Sequence, residues 1–83
     1  SQISDSQLYD TPLTNLLTDC GMAKAGREIK DALARNSVMI NGRSQGSEDN
    51  MATSTSFALE NALYGRFFLV RLAKKKYHLF ERI

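Results

Sequence analysis

The sequence predicts an α+β domain: two short helices near the N-terminus, then strands, closing in a basic antiparallel hairpin. Three patterns carry that prediction. Leu13, Leu16, Leu17 and Cys20 recur at i, i+3, i+4 and i+7, the spacing of one helix face. Ala25, Ile29, Ala32 and Leu33 gather on one side of a second helix if each residue turns by about 100°. From Arg66 to Leu72 and from Tyr77 to Ile83 the helical period gives way to runs rich in aromatic and β-branched residues.

The elements follow in order. Residues 1–10 are polar and aperiodic and read as a linker or disordered start, leaving 11–83 as the domain. Thr11-Pro12 opens the first helix, with a hydroxyl at the N-cap and proline at the first helical position. Gly21 stands where a left-handed C-cap belongs. The second helix runs from about Lys24 to Arg35, and Asn36 ends it, because asparagine tolerates the left-handed region. Val38-Met39-Ile40 is a short strand closed by the turn dipeptide Asn41-Gly42. Residues 43–56 are rich in Ser, Thr, Gly, Asn and acid and read as an exposed, mobile loop. Phe57 to Leu63 make a short helical turn, broken by Gly65. In the hairpin, Phe68, Val70 and Leu72 share one face, and Ala73-Lys74-Lys75-Lys76 connects the strands.

Composition bounds what such a chain can do. Its 83 residues make one domain, and 42% apolar content suits a folded one. No apolar run approaches the roughly 18 residues of a membrane span, so no membrane partner is expected. The N-terminus lacks the basic start and apolar run of a signal peptide. A start at Ser1 suits a domain cut from a longer protein. One cysteine and one histidine exclude an internal disulfide and a Cys/His structural zinc site. His78 has no nucleophile placed by a motif, Cys20 lies on an apolar stripe, and no glycine-rich phosphate loop is present. No catalytic site and no metal site is expected.

The net charge of +2 hides an asymmetry. The last eighteen residues hold six cations (Arg66, Arg71, Lys74, Lys75, Lys76 and Arg82) and a single acid, Glu81. Three crowded ammonium groups at Lys74–Lys76 repel one another, so an anion bound there relieves repulsion as well as gaining attraction. The same lysines also serve a plain purpose, discouraging edge-to-edge aggregation. On the second helix Lys24, Arg27 and Lys30 face away from the apolar side, free either to meet phosphate or to form a solvated face. Tyr77, Phe67 and Phe80 have the ring chemistry to stack on unpaired bases, although at least two of the three are expected in the core.

The order of elements resembles the alpha-L RNA-binding motif. Leu16-Leu17-Thr18-Asp19-Cys20-Gly21-Met22 resembles that family's first helix and turn, and Val38-Met39-Ile40-Asn41-Gly42 its strand and turn. Leu63-Tyr64-Gly65-Arg66-Phe67 and Val70-Arg71-Leu72-Ala73-Lys74-Lys75-Lys76-Tyr77-His78-Leu79 are similar to the close of the C-terminal domain of bacterial-type tyrosyl-tRNA synthetases. The resemblance covers about Leu13 to Phe80. It departs at Ala25-Gly26, where the family has Ser-Lys/Arg, and at Asn36 and Ala73, where the family has glycine. The 43–56 segment is longer than the bacterial form, a drift similar to that of fungal mitochondrial members.

The resemblance implies a helix pair packed on a small, mainly antiparallel sheet. It implies RNA binding, with tyrosine tRNA gripped at its long variable arm and anticodon stem, and it extends to group I intron RNA. ATP chemistry would belong to a separate catalytic domain of a homodimeric parent in the mitochondrial matrix or the cytoplasm. The expected RNA contacts are Lys24, Arg27, Lys30, Arg66, Arg71, Lys74, Lys75, Lys76 and Tyr77. Five or six phosphate contacts give a log–log salt slope of roughly −5. Two other readings stay open: an alpha-L module of a ribosomal or RNA-modifying protein, and a protein-interaction domain whose lysines dock an acidic surface.

Overall fold

The computed structural model describes residues 1–83 as two layers, short helices on one face of a five-stranded sheet. The elements are β1 (Gln2–Ile3), α1 (Asp5–Asp10), α2 (Leu13–Asp19), α3 (Gly26–Ala34), β2 (Val38–Ile40), β3 (Arg43–Gln45), α4 (Thr53–Ser56), β4 (Phe67–Leu72) and β5 (Lys76–Arg82). Two 3-10 turns, Ser47–Asp49 and Leu59–Asn61, complete the chain. The strand order is β1-β5-β4-β2-β3, antiparallel except for the pair β1 and β5. The expected α+β class, helix pair and mainly antiparallel sheet are all present.

Helix α2 ends in a Schellman motif. Gly21 has φ +90°, Met22 N–H donates to Leu17 O at 3.1 Å, and Gly21 N–H donates to Thr18 O at 3.0 Å. Helix α3 ends the same way, with Asn36 at φ +54° in the glycine position and Ser37 N–H donating to Ala32 O at 2.8 Å. Ile29, Ala32 and Leu33 are buried, as the periodicity requires. They meet Leu13, Leu16 and Leu17 of α2 over the sheet residues Val38, Ile40, Phe68, Val70, Leu72 and Phe80. Phe57 sits edge-on to Phe68 and Phe80, at centroid distances of 5.0 and 5.5 Å. Each large apolar side chain buried this fully contributes about 1.5–3 kcal/mol.

Residues 1–10 are not a loose start. Ile3 and Leu8 are buried, β1 pairs with β5, and Arg82 clamps α1 to the sheet by binding Asp5 Oδ1 through two nitrogens and Phe57 O through the third. Each of these short elements contributes one buried residue, and a single residue has no period to detect. Residues 43–56 are likewise folded. Gln45 and Thr53 are buried: Ser56 Oγ donates to Gln45 Oε1 at 2.8 Å, and Thr53 Oγ1 to Thr11 O at 2.7 Å. Polar anchors of this kind are invisible to an apolar-pattern reading.

That segment also supplies a helix cap. Asn50 accepts from Leu13 N–H through its carbonyl (2.9 Å) and from Thr14 N–H through Oδ1 (3.0 Å). Two orphan donors of α2 are thereby satisfied from outside the helix. Thr11 is not the N-cap; that position is Pro12.

Candidate nucleic-acid interface

Three ion pairs decide which cations remain free. Arg82 is held by Asp5, Arg66 by Glu81 at 3.5 Å, and Lys76 by Glu28 at 3.1 Å. Half of the six terminal cations are therefore neutralised inside the fold. Arg71, Lys74 and Lys75 have no carboxylate partner.

These three line one open groove of about 580 Å³. Its opposite wall is the flank of α3 at Glu28 and the end of that helix, where Arg35 is the C-cap and Asn36 and Ser37 follow. The hairpin turn is fixed against this wall. Ala73 N–H donates to Ser37 O at 2.9 Å, and Lys76 Nζ bonds Met22 O and Glu28 Oε2. Ala73 adopts φ +57°, a left-handed conformation at the position where the resembled family has glycine. The result is a pre-set trough with Arg35, Arg71, Lys74 and Lys75 around it and one carboxylate, Glu28, on its rim.

Several expected contacts lie elsewhere. Lys24 precedes α3, which starts at Gly26, so it is not on the helix face assigned to it. Arg27 and Lys30 are exposed on α3 but do not line the groove. Arg27 stands roughly 80° around the helix from Arg35 at 3.6 residues per turn, pointing away from the core. Arg66 lies at the far end of β4, roughly 20 Å from the turn at about 3.3 Å per residue, where it pairs with Glu81 and covers the Phe67 ring. Lys76 opens β5 rather than sitting in the turn. Tyr77 is 57% exposed, Phe67 is half-buried and only Phe80 is in the core, so the expectation of two core rings among the three is corrected.

Arg35 is the groove cation that sequence reasoning missed. It lies seven residues, two turns, after Glu28, so both face the hairpin. The spacing is visible in the chain, but the groove lies on the helix flank, which is neither the core side nor the side opposite it.

Little else in the fold competes as a site. Burial pushes the Cys20 thiol above its ordinary value, and its Sγ donates to Leu17 O. Burial, and then the nearby amino terminus, hold His78 below its ordinary value. No three His, Cys, Asp or Glu side chains come together in a metal-binding group. No helix is long and apolar enough to cross a membrane.

Comparison with known proteins places the chain in a family. Residues 2–80 match the family described as "Tyrosine--tRNA ligase SYY-like C-terminal domain". The chain is 33% identical over 70 residues to proteins named tyrosine–tRNA ligase from Geobacillus stearothermophilus and Bacillus caldotenax, and likewise from Geobacillus kaustophilus. Each match covers 84% of this chain and 16% of the relative, so the chain spans about one-sixth of the length of these relatives. With the match running through nearly every element of the fold, the chain belongs to the family of tyrosine–tRNA ligase C-terminal domains.

Proposed function

We propose that this chain is the tRNA-binding C-terminal part of a tyrosine–tRNA ligase, and that the basic groove grips the sugar–phosphate chain of structured RNA. The observation that supports it most is the set of four cations without carboxylate partners, Arg35, Arg71, Lys74 and Lys75, around one trough. Two elements distant in sequence supply them, and Lys76 and Ala73 hold the elements together. Phosphates entering the trough release condensed counterions, which gives affinity without reading sequence. Arginine at two of the four positions offers a planar fork suited to phosphate oxygens.

Tyrosine tRNA is the principal ligand in this reading, held at its variable arm and anticodon stem for a catalytic part that carries the ATP chemistry. Affinity of the domain alone is modest, since tethering supplies effective concentration in the whole protein. Group I intron RNA, a homodimeric parent and a mitochondrial or cytoplasmic setting extend the same resemblance. The test is binding of tyrosine tRNA, a ribosomal RNA fragment and a group I intron core to the wild-type chain and to a Lys74→Gln/Lys75→Gln variant. Preference for tyrosine tRNA, weakened in the variant, supports the proposal. Binding to all three RNAs that is untouched by the variant overturns it, and favours a protein-docking role for the lysines.

A further inference from the structure

The face of the sheet turned away from the helices is left open around Leu69, Tyr77 and Leu79. Alternation places Leu69 and Arg71 of β4, Met39 of β2, and Tyr77 and Leu79 of β5 on it. Leu69 lies opposite Leu79, and Arg71 lies between Met39 and Tyr77. Leu69, Leu79 and Tyr77 are 40%, 50% and 57% exposed. Met39, Leu63, Leu69, Arg71 and Tyr77 surround a shallow depression of about 310 Å³, with no carboxylate among its lining residues.

Arg71 joins this depression to the basic groove, because it lines both. Its Nε is buried and has no hydrogen-bond partner. No hydrogen bond inside the fold engages the Arg71 guanidinium, which leaves its remaining nitrogens to donate to a ligand at the junction of groove and depression.

Whatever covers the face must offer a flat apolar surface to Tyr77 and Leu69, an acceptor to Arg71, and negative charge to the lysines next door. An unpaired nucleotide offers all three in one residue. An apolar protein surface would cover the leucines but would bury Arg71 and crowd Lys74 and Lys75 without a counter-charge. We propose that the outer sheet face takes an unpaired nucleobase, stacked on Tyr77 with its edge toward Arg71, while the adjoining phosphates lie along Lys74 and Lys75. The proposal rests on the reading of the groove as an RNA site and adds a preference for single-stranded residues at its mouth. Stacking is tolerant of base identity, so the selection is for an unpaired base rather than a particular one.

The test titrates the 83-residue chain with a short unpaired RNA and with a fully paired RNA duplex, following affinity and backbone chemical shifts. Variants are Tyr77→Ala, Tyr77→Phe and Lys74→Gln/Lys75→Gln. Tyr77→Ala is expected to weaken the unpaired RNA by roughly five- to a hundred-fold, the loss of one base–aromatic stack, and to leave the duplex unchanged. Tyr77→Phe keeps the ring and the affinity. The double lysine variant weakens both RNAs. If Tyr77→Ala leaves unpaired RNA binding intact, with shifts confined to Arg35, Lys74 and Lys75, the base-stacking proposal is overturned and the groove reading survives. If neither RNA binds the wild-type chain, both fall.

Discussion

Lys76 Nζ stands 3.1 Å from Glu28 Oε2 and 3.4 Å from Met22 O, which ties the hairpin turn to the front of α3. Both side chains of the pair are about half exposed, so its contribution to stability is about 1 kcal/mol at most. Its consequence for binding is larger, because Glu28 occupies the rim of the groove and neutralises a cation beside it. Glu28→Gln is expected to tighten RNA binding by roughly two- to five-fold at moderate salt and to steepen the log–log salt slope by up to about 0.9 as Lys76 becomes available. Parallel titrations of the two proteins over a salt series check this; weaker binding by the variant would show that the pair serves the turn's geometry first.

Asn50 tests the importance of the 43–56 segment. It holds the start of α2 through two bonds, one from its side chain. Asn50→Ala is expected to destabilise the chain by about 1 kcal/mol, the usual cost of losing a side-chain cap. Urea unfolding with an unchanged m-value measures it.

Ala73 is a left-handed residue without the glycine that the conformation favours. Left-handed backbone costs a residue with a Cβ roughly 1–2 kcal/mol, partly offset because glycine loses more entropy on folding. Ala73→Gly is therefore expected to stabilise the chain by about 0.5–1 kcal/mol without changing the groove. An unchanged or lowered midpoint in urea would contradict that.

His78 gives the stability a pH dependence. Its Nε2 lies 2.7 Å from Ser1 Oγ, and burial, followed by the nearby amino terminus, lowers its pKa in the folded chain. The unfolded chain therefore takes up the proton more readily. The stabilising contribution is complete above the ordinary histidine range near 6.5 and is lost as pH falls through the lower folded value. Thermal unfolding at pH 7.5 and 5.0 should show a smaller acid-side loss for His78→Gln than for wild type, whereas equal losses would exclude His78 as the source.

The long-period elements were legible in the chain because each carries several apolar residues on one face. Leu13, Leu16 and Leu17, and Ile29, Ala32 and Leu33, announced α2 and α3, while alternation at Phe68, Val70 and Leu72 announced β4. The two glycine departures from the family pattern, Asn36 and Ala73, fall on residues with φ of +54° and +57°. What escaped were elements with one buried residue apiece, such as those holding Ile3 and Leu8, and a segment held by the polar anchors Gln45, Asn50 and Thr53. The candidate site was legible by composition but not by partition. Charge counting found the basic hairpin, yet it treated Arg66, Lys76 and Arg82 as equal to Lys74 and Lys75. Only tertiary structure reveals that Glu81, Glu28 and Asp5 engage the first three. Periodicity does not single out Arg35, because a helix flank, unlike a helix front, is chosen by what packs next to it.

The central claim is that four cations without carboxylate partners share one groove and act together on an RNA backbone. The most direct measurement is the dissociation constant for tyrosine tRNA across roughly 50–200 mM monovalent salt. Four phosphate contacts give a log–log slope of roughly −3 to −4, shallower than the roughly −5 of five or six contacts. Replacing Arg35, Arg71, Lys74 and Lys75 by glutamine should bring the slope close to zero. A slope that keeps its wild-type value after those four replacements would place the RNA on another surface.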